Sequence, residues 1–181
     1  MALLDESTLV IGAGNFYTAA VGTEFDLEAL TPWENVGHTP LEDIFSQESD
    51  GGDKSVLGSL QNKNLRISYE QRTEQFNLTI EQFDTDSLKL YYGSNAVKDI
   101  ETGLLQVPAS PVPTTCAFMA IFVDNENRFG FYIPKCEILR ADDMSLDDTE
   151  SLAGLPIAIS PLQLGSNNWT YAVLPIEPSQ S

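Results

Sequence analysis

The two cysteines, Cys116 and Cys136, are the side chains best suited to chemistry in this 181-residue chain. They lie at equal distances from Glu126, so a hairpin centred on that residue would place them opposite each other on two strands. Three interpretations follow: two buried thiols, a cross-strand disulfide, or a pair of metal ligands. A reducing cytoplasm favours the buried thiols.

Other patterns that could mark an active or binding site are weak. Gly12-Ala13-Gly14 follows an apolar run, but the third glycine and the helix of a dinucleotide-binding fingerprint are missing. His38 stands in a Gly-His-Thr turn with no second histidine, which favours a structural role over a metal or base role. An acidic cluster lacks the spacing and central glycine of a calcium-binding hand, which favours a solvated loop. Its members are Asp142, Asp143, Asp147, Asp148 and Glu150.

Enzymatic chemistry finds no support in the remaining sequence. The chain has no Gly-x-Ser-x-Gly elbow, no phosphate-binding glycine loop, and no carboxylate pair set apart by aromatic neighbours. We therefore predict a protein that is not an enzyme and that holds no metal and no cofactor.

The composition is that of one globular domain spanning residues 1–181, with 42% hydrophobic and 20% charged residues. The charge balance is unusual, since 27 acidic residues against 9 basic ones give a net charge of -18. Such a chain repels phosphate, which argues against nucleic-acid binding through a basic surface. The first residues lack the charge and apolar run of a signal peptide, and Ala117–Val123 is far too short to span a membrane. We expect a protein made in a cytoplasm.

Period-two alternation dominates the elements that must position any site. Leu65–Gln71 and Glu74–Phe83 each alternate apolar and polar residues, which predicts two strands, each with one buried and one wet face, joined by a tight turn. Capping side chains at 84–87 and a stop at Gly93 predict a short helix over Ser87–Tyr92. The run Val107–Thr114 contains three prolines and predicts an extended connector.

A long hairpin is predicted from Thr115–Val123 and Arg128–Leu139, with a loop over Asn125–Asn127. That loop would pair Val123 with Phe129, Ile121 with Phe131, and Cys116 with Cys136. Both faces of these strands are largely apolar, which indicates a central position or coverage by a neighbouring subunit.

The C-terminal part is predicted to contain an acidic linker over residues 140–153, strands over Pro156–Leu164 and Trp169–Leu174, and a mobile tail over 175–181. Nearly all predicted elements are strands. The expected fold is therefore mainly β, with two packed antiparallel sheets as a sandwich or barrel, one short α-helix and a long loop over residues 39–60.

A set of short motifs between Pro32 and Gly93 resembles the major tail tube protein of long-tailed bacteriophages, particularly those that infect actinobacteria. The residues that carry the resemblance are Trp33, Gly37, His38 and Thr39, then Gly51, Gly52, Asp53, Leu57 and Gly58, then Asn64, Leu65 and Arg66, and finally Leu90, Tyr91, Tyr92 and Gly93. The resemblance implies a structural virion protein of the tail, assembled in the host cytoplasm. Six subunits would form a ring, and stacked rings would form the tube through which double-stranded DNA is ejected.

The family resemblance also implies partners and surfaces. Tape-measure, tail-tip and tail-terminator proteins are the expected partners besides further copies of the chain, and DNA would pass without specific binding. Candidates for the lumen are Ser68, Glu70, Asn77, Thr79 and Glu81 on the polar faces of the strands. The long loop would contact the adjacent ring through Leu41, Ile44, Phe45, Gly51, Gly52, Asp53, Val56 and Leu57, with Phe45 as the apolar anchor.

Two alternatives remain open at this point. A monomeric β-sandwich binding module, such as an adhesin or carbohydrate-binding domain, would use Trp33, Trp169, Tyr91 and Tyr92 as an aromatic platform. A bacterial secretion or contractile system would use the same fold for its own tube.

Overall fold

The computed structural model describes residues 7–27, 31–144, 146 and 152–176, and antiparallel strands dominate it. The one helix among these residues, α1, spans Thr85–Tyr92. The strands are β1 (Ala13–Ala19), β2 (Glu34–Asn35), β3 (Phe45–Gly51), β4 (Lys54–Leu57), β5 (Arg66–Tyr69), β6 (Arg72–Ile80), β7 (Val97–Lys98), β8 (Leu105–Gln106), β9 (Thr114–Asp124), β10 (Asn127–Arg140), β11 (Leu155–Pro161) and β12 (Ala172–Leu174). The mainly β prediction is confirmed.

Eight strands form one antiparallel sheet that rolls back over itself. Its order is β2-β1-β9-β10-β11-β6-β3, and β12 pairs with a separate stretch of β10. β1 and β3 lie near opposite ends of this order, yet the rings of Phe16 and Phe45 are only 5.7 Å apart between centroids. The two packed layers are therefore two halves of a single rolled sheet, and they do not close into a barrel.

Phenylalanines fill the space between the two halves. Phe16, Phe118 and Phe122 project from β1 and β9, and Phe45 and Phe76 project from β3 and β6. The ring centroids of Phe45 lie 5.4 Å from Phe76, 5.7 Å from Phe122 and 6.4 Å from Phe118. Buried aromatic rings at these separations combine a large apolar contribution with a preferred geometry, and so hold the two halves together.

β9 is buried on both faces, as its apolar composition predicts. One face contributes to the aromatic core, and Ala117, Met119 and Ile121 on the other face pack around Trp33. Phe25 and Leu27, from the segment that follows β1, extend this second cluster. The central position is therefore the correct alternative, and the chain itself supplies the cover.

The predicted β9–β10 hairpin forms, but its register near the turn is shifted by one residue. The loop contains only Asn125 and Glu126, so Phe131 pairs with Ala120 and not with Ile121. An irregularity after Ile133 inserts one extra residue into β10. Beyond it the predicted register returns, and Cys116 pairs with Cys136.

The short helix ends where it was predicted and begins two residues earlier. Asp84 caps its N-terminus, because its carboxylate accepts hydrogen bonds from the backbone N–H groups of Asp86 and Ser87 at 2.8 and 3.0 Å. These bonds, first that from Ser87, lower the pKa of Asp84. Gly93 ends the helix with φ +105°, and a side chain there would approach the Val112 carbonyl.

Two predictions for the central segment are wrong. Residues 39–60 are not a continuous loop, since they contain β3 and β4. β5 and β6 do not pair with each other across a tight turn; β4 pairs with β5, and β3 pairs with β6. The missed strands have acidic, serine-rich or glycine-flanked sequences that carry no apolar alternation.

The C-terminal strands are shorter than predicted, and the proline-rich connector is confirmed because 107–113 contains no strand or helix. Of the predicted acidic linker, the described residues 142–144 and 146 are neither helix nor strand. Asp147, Asp148 and Glu150 lie outside the described residues, as do 177–181 of the predicted tail.

Candidate assembly surfaces

A long hairpin projects from the rolled sheet and is the most distinctive surface of the chain. β3 pairs with β6 up to Gly51 and Arg72, and the pairing continues in the same register from Lys54 and Tyr69 through β4 and β5. A backbone hydrogen bond of 3.0 Å from Glu70 N–H to the Asp53 carbonyl bridges the two ladders. We call residues 54–69 the arm; all of them are exposed.

The arm begins at a bend that requires glycine. Gly51 and Gly52 have φ values of +83° and +77°, a region that residues with side chains rarely adopt. A Cβ atom on Gly51 would also lie 2.8 Å from the Gln71 carbonyl oxygen. Both glycines are predicted to belong to a stacking loop, and in the structure they form the bend at the base of the arm.

Side-chain hydrogen bonds fasten the root of the arm to the sheet. The Glu74 carboxylate accepts hydrogen bonds from Gln47 Nε2 and Ser49 Oγ, both at 2.9 Å. These bonds, first that from Gln47, lower the pKa of Glu74. The root is therefore held on both strands, while the arm beyond it touches nothing else in the described chain that would bury it.

One face of the arm is apolar and exposed. Residues directly opposite in an antiparallel pair share a face, so the pairing of Val56 with Ile67 places them together, with Tyr69 on the same side. Tyr69 is 68% exposed and Leu60, at the tip, is 99% exposed. The predicted alternation is correct, but the predicted burial of this face is wrong for the single chain. An exposed apolar strip of this kind marks an interaction site.

The arm also carries a charge opposite to that of the rest of the chain. It contains Lys54, Lys63 and Arg66, and none of the 27 acidic residues. The rest of the chain holds the other six basic residues and all of the acidic ones. The molecule is therefore a strongly acidic body with a basic, apolar projection.

A polar face covers the outside of the part of the sheet formed by β10, β11, β6 and β3. In β6, Phe76, Leu78 and Ile80 are buried, so Asn77 and Thr79 point to the opposite face. The registers of β3, β11 and β10 bring further outward residues beside them: Ser46, Glu48, Gln75, Ala158, Ser160 and Glu137. Lys135, two residues before Glu137 on β10, is the basic residue on the same side, where its carbonyl accepts a 2.8 Å hydrogen bond from Leu162 N–H. Among the strands that the structure describes, β3 pairs with β6 alone and so has one unpaired edge.

The five predicted lumen residues separate into two groups. Asn77, Thr79 and Glu81 follow the polar face of β6, whereas Ser68 lies in the arm and Glu70 at its base. The predicted stacking residues also separate. Val56 and Leu57 belong to the arm, and Asp53 to its base.

Phe45 does not stand free as the predicted apolar anchor. Its ring packs against five phenylalanines in the core of the same subunit: Phe16, Phe76, Phe118, Phe122 and Phe131. The sequence could not predict these contacts, because Phe45 precedes a polar run and its partners come from strands that are distant in the chain. Leu41 and Ile44 precede β3; Leu41 is almost fully exposed, and Ile44 packs against the core.

The cysteines are buried thiols. Their Sγ atoms are 3.9 Å apart, and Cys136 Sγ also donates to the Cys116 carbonyl at 3.4 Å. The hydrogen bond with Cys116 and burial both raise the pKa of Cys136, so that thiol stays protonated at neutral pH. No group of three or more metal-ligating side chains occurs among the described residues.

The remaining sequence candidates form no site. Gly14 belongs to β1, which leaves no loop for a dinucleotide phosphate. His38 contributes its backbone carbonyl to a 2.7 Å bond from Glu81 N–H, in agreement with a structural role. Trp33 and Tyr91 are buried, so the four proposed aromatic side chains do not form an exposed platform. No helix in the described ranges is long and apolar enough to cross a membrane.

Comparison with known proteins decides the family. A family model described as phage tail tube protein matches residues 1–174. The chain belongs to this family. It is also 30% identical over 178 residues to the major tail protein Gp23 of Mycobacterium phage L5 and to that of Mycobacterium phage D29. In both cases the match covers 90% of this chain and 88% of the relative.

Membership makes this tail tube protein a structural component of the phage tail, as the sequence resemblance predicted. The relatives are proteins of phages that infect mycobacteria, which agrees with the predicted similarity to phages of actinobacteria. The comparisons give no support to a monomeric binding module or to a secretion-system tube. The arm and the polar face are the two surfaces to which an assembly role can be assigned.

Proposed function

We infer that six copies of this tail tube protein close into a ring, that rings stack into the tail tube, and that DNA passes through the lumen. The observation that carries the proposal is the polar face around Asn77 and Thr79, where acidic and neutral side chains predominate and Lys135 of β10 is the basic residue beside them. DNA carries about one negative charge per ~1.7 Å of its axis, so a basic lumen would hold it electrostatically. A face of this composition lets the genome slide.

The edge strand of the sheet gives a physical reason for ring closure. Within the described residues β3 presents an unpaired edge over Phe45–Gly51, and an exposed edge strand is a liability because it invites pairing with other chains. Pairing or covering this edge in a closed ring removes the liability. Six-fold rings or hollow tubes of the purified, concentrated chain in negative-stain electron microscopy are the expected result. Only isolated particles at every concentration, with or without a tail-tip initiator, would refute self-assembly.

The lumen assignment is tested by adding positive charge to the polar face. Asn77→Lys combined with Thr79→Lys should leave tails of normal length but slow DNA ejection, because the lysines attract the phosphates. Thr102→Lys, on an exposed turn away from this face, is the matched control for added charge. Normal ejection by the double variant would remove Asn77 and Thr79 from the lumen.

The arm is assigned to contacts between stacked rings. Its exposed apolar face has no cover within the described chain, and burial of such a face against another subunit is the simplest source of stacking free energy. Replacing residues 57–66 by an Asn-Gly turn keeps the register of the hairpin base. We expect this variant to fold and to form rings that do not stack. Tubes of normal length would refute the assignment.

The proposal extends to the partners and site of assembly. We assign tape-measure, tail-tip and tail-terminator proteins as the other contacts of the tube, and the host bacterial cytoplasm as the place where the tail is built. We assign the chain no enzymatic activity and no cofactor. Co-purification of tails that contain these proteins from infected cells tests the partners.

A further inference from the structure

An apolar groove of about 360 Å³ lies at the beginning of β3. Phe122, Phe129 and Phe131 line it together with Ile11, Leu41 and Asp43. Leu41 is 96% exposed and Ile11 is 49% exposed, so the groove presents apolar surface that the described chain leaves uncovered. A concave apolar surface of this size accommodates a few large side chains.

The surroundings of the groove are acidic. Asp43 is part of its lining, Glu42 is adjacent and exposed, and Asp124 lies nearby, where its carboxylate accepts a 2.9 Å hydrogen bond from Val10 N–H. Arg128 lines a different depression. An occupant of the groove should therefore be apolar and positively charged.

We propose that this groove binds the arm of a second copy of the chain. The arm is the one described segment that combines exposed large apolar side chains with an excess of basic residues and no acidic ones. Its apolar tip matches the aromatic lining, and Lys63 and Arg66 match the acidic surroundings. This inference rests on the proposed stacking of rings and specifies which surface of the next ring the arm meets.

The position of the groove agrees with such a contact. The groove lies where β3 begins, and the arm lies beyond the point where β3 ends. From Phe45 to Leu57 the two strands span at most roughly 40 Å at about 3.3 Å per residue, and the bend at Gly51 and Gly52 shortens this distance. Because the groove lies before β3 and the tip lies beyond β4, the tip of one copy can meet the groove of the next repeatedly when the copies share one orientation.

Photo-cross-linking in assembled tubes identifies the occupant of the groove. A benzoylphenylalanine in place of Leu41, in a mixture of isotopically light and heavy chains, should form cross-links between light and heavy chains that map to residues 54–69. The same photo-reactive residue in place of Leu104, an exposed leucine outside the groove, is the control and should not capture the arm. Cross-links from position 41 to residues 1–6, or to the body of another copy, would overturn the proposal.

A charge exchange provides the second test. Lys63→Glu with Arg66→Glu should lower the cross-link yield roughly tenfold, because repulsion replaces two close charge pairs. Adding Glu42→Lys and Asp43→Lys beside the groove of the copy that receives the arm should restore much of the cross-link yield. Lys98→Glu in the wild-type chain should have no effect on that yield. Wild-type tubes that form without arm-to-groove cross-links would refute this contact and leave the tube function intact. Failure of the wild-type chain to form any ring or tube would refute both.

Discussion

Replacing Phe45 with alanine distinguishes between a core role and a stacking role for this side chain. The sequence resemblance assigns Phe45 to the contact between rings, whereas the structure packs its ring against five other phenylalanines within one subunit. The two roles predict different defects. A core residue affects the folding of the monomer, and a stacking residue affects assembly alone.

The magnitude follows from the packing of the ring. Phe→Ala substitutions in a core cost about 3–5 kcal/mol. Because Phe45 is partly buried, we expect a loss of about 2–4 kcal/mol in the free energy of unfolding. In a domain of this size each kcal/mol lowers Tm by about 2–4 °C, so a central loss of about 3 kcal/mol lowers Tm by roughly 6–12 °C.

Thermal unfolding of the monomer, followed by circular dichroism, measures the effect. Leu60→Ala is the matched control, since Leu60 is 99% exposed at the arm tip and should change stability by less than about 0.5 kcal/mol while weakening tube growth. A Phe45→Ala monomer with Tm within about 2 °C of wild type, together with loss of tubes, would refute the core assignment. It would restore Phe45 as the stacking anchor.

Further predictions concern the helix cap, the bend and the thiols. Asp84→Ala should cost about 1 kcal/mol through loss of the cap. In the wild type the pKa of Asp84 is lowered, so the stability from the cap is present above the unfolded pKa near 3.9 and is lost as the pH falls through the folded pKa. Unfolding of both proteins as a function of pH measures this effect. Gly51→Ala should redirect the arm and stop tube growth, because the positive φ and the Gln71 carbonyl leave no room for a side chain, and electron microscopy tests this. Titration of the unreduced, denatured protein should find two free thiols, from Cys116 and Cys136, and none would indicate a disulfide.

The sequence predicts well those elements whose residues alternate strongly or carry turn chemistry. The β9–β10 hairpin and α1 are predicted because apolar runs flank Asn125, and because Asp84 and Gly93 mark the helix ends. The hairpin register was wrong near the turn because a two-residue loop and a three-residue loop fit the same residues. The predicted pairing of the cysteines is still correct, because the extra residue in β10 after Ile133 cancels the one-residue shift at the turn.

The sequence could not predict the roll of the sheet or the extent of the hairpin. Both depend on contacts between residues far apart in the chain, such as Phe16 with Phe45. β3 carries a polar sequence that only its pairing with β6 holds in a strand. The exposure of the apolar face of β5 could not be inferred either, because alternation indicates that a face is to be buried but not which molecule buries it.

The charge distribution explains why copies of this chain should associate in one direction. Two bodies repel each other, since all 27 acidic residues and only six of the nine basic ones lie outside the arm, which makes the body more negative than the net charge of -18. Two basic arms also repel each other. Only the contact of an arm with a body brings opposite charges together. A contact between two different surfaces of the same chain is heterologous, and it continues from copy to copy unless a rotation closes it. The arm and the acidic body therefore disfavour a symmetric dimer and favour an open-ended stack, which is the assembly that a tail tube requires.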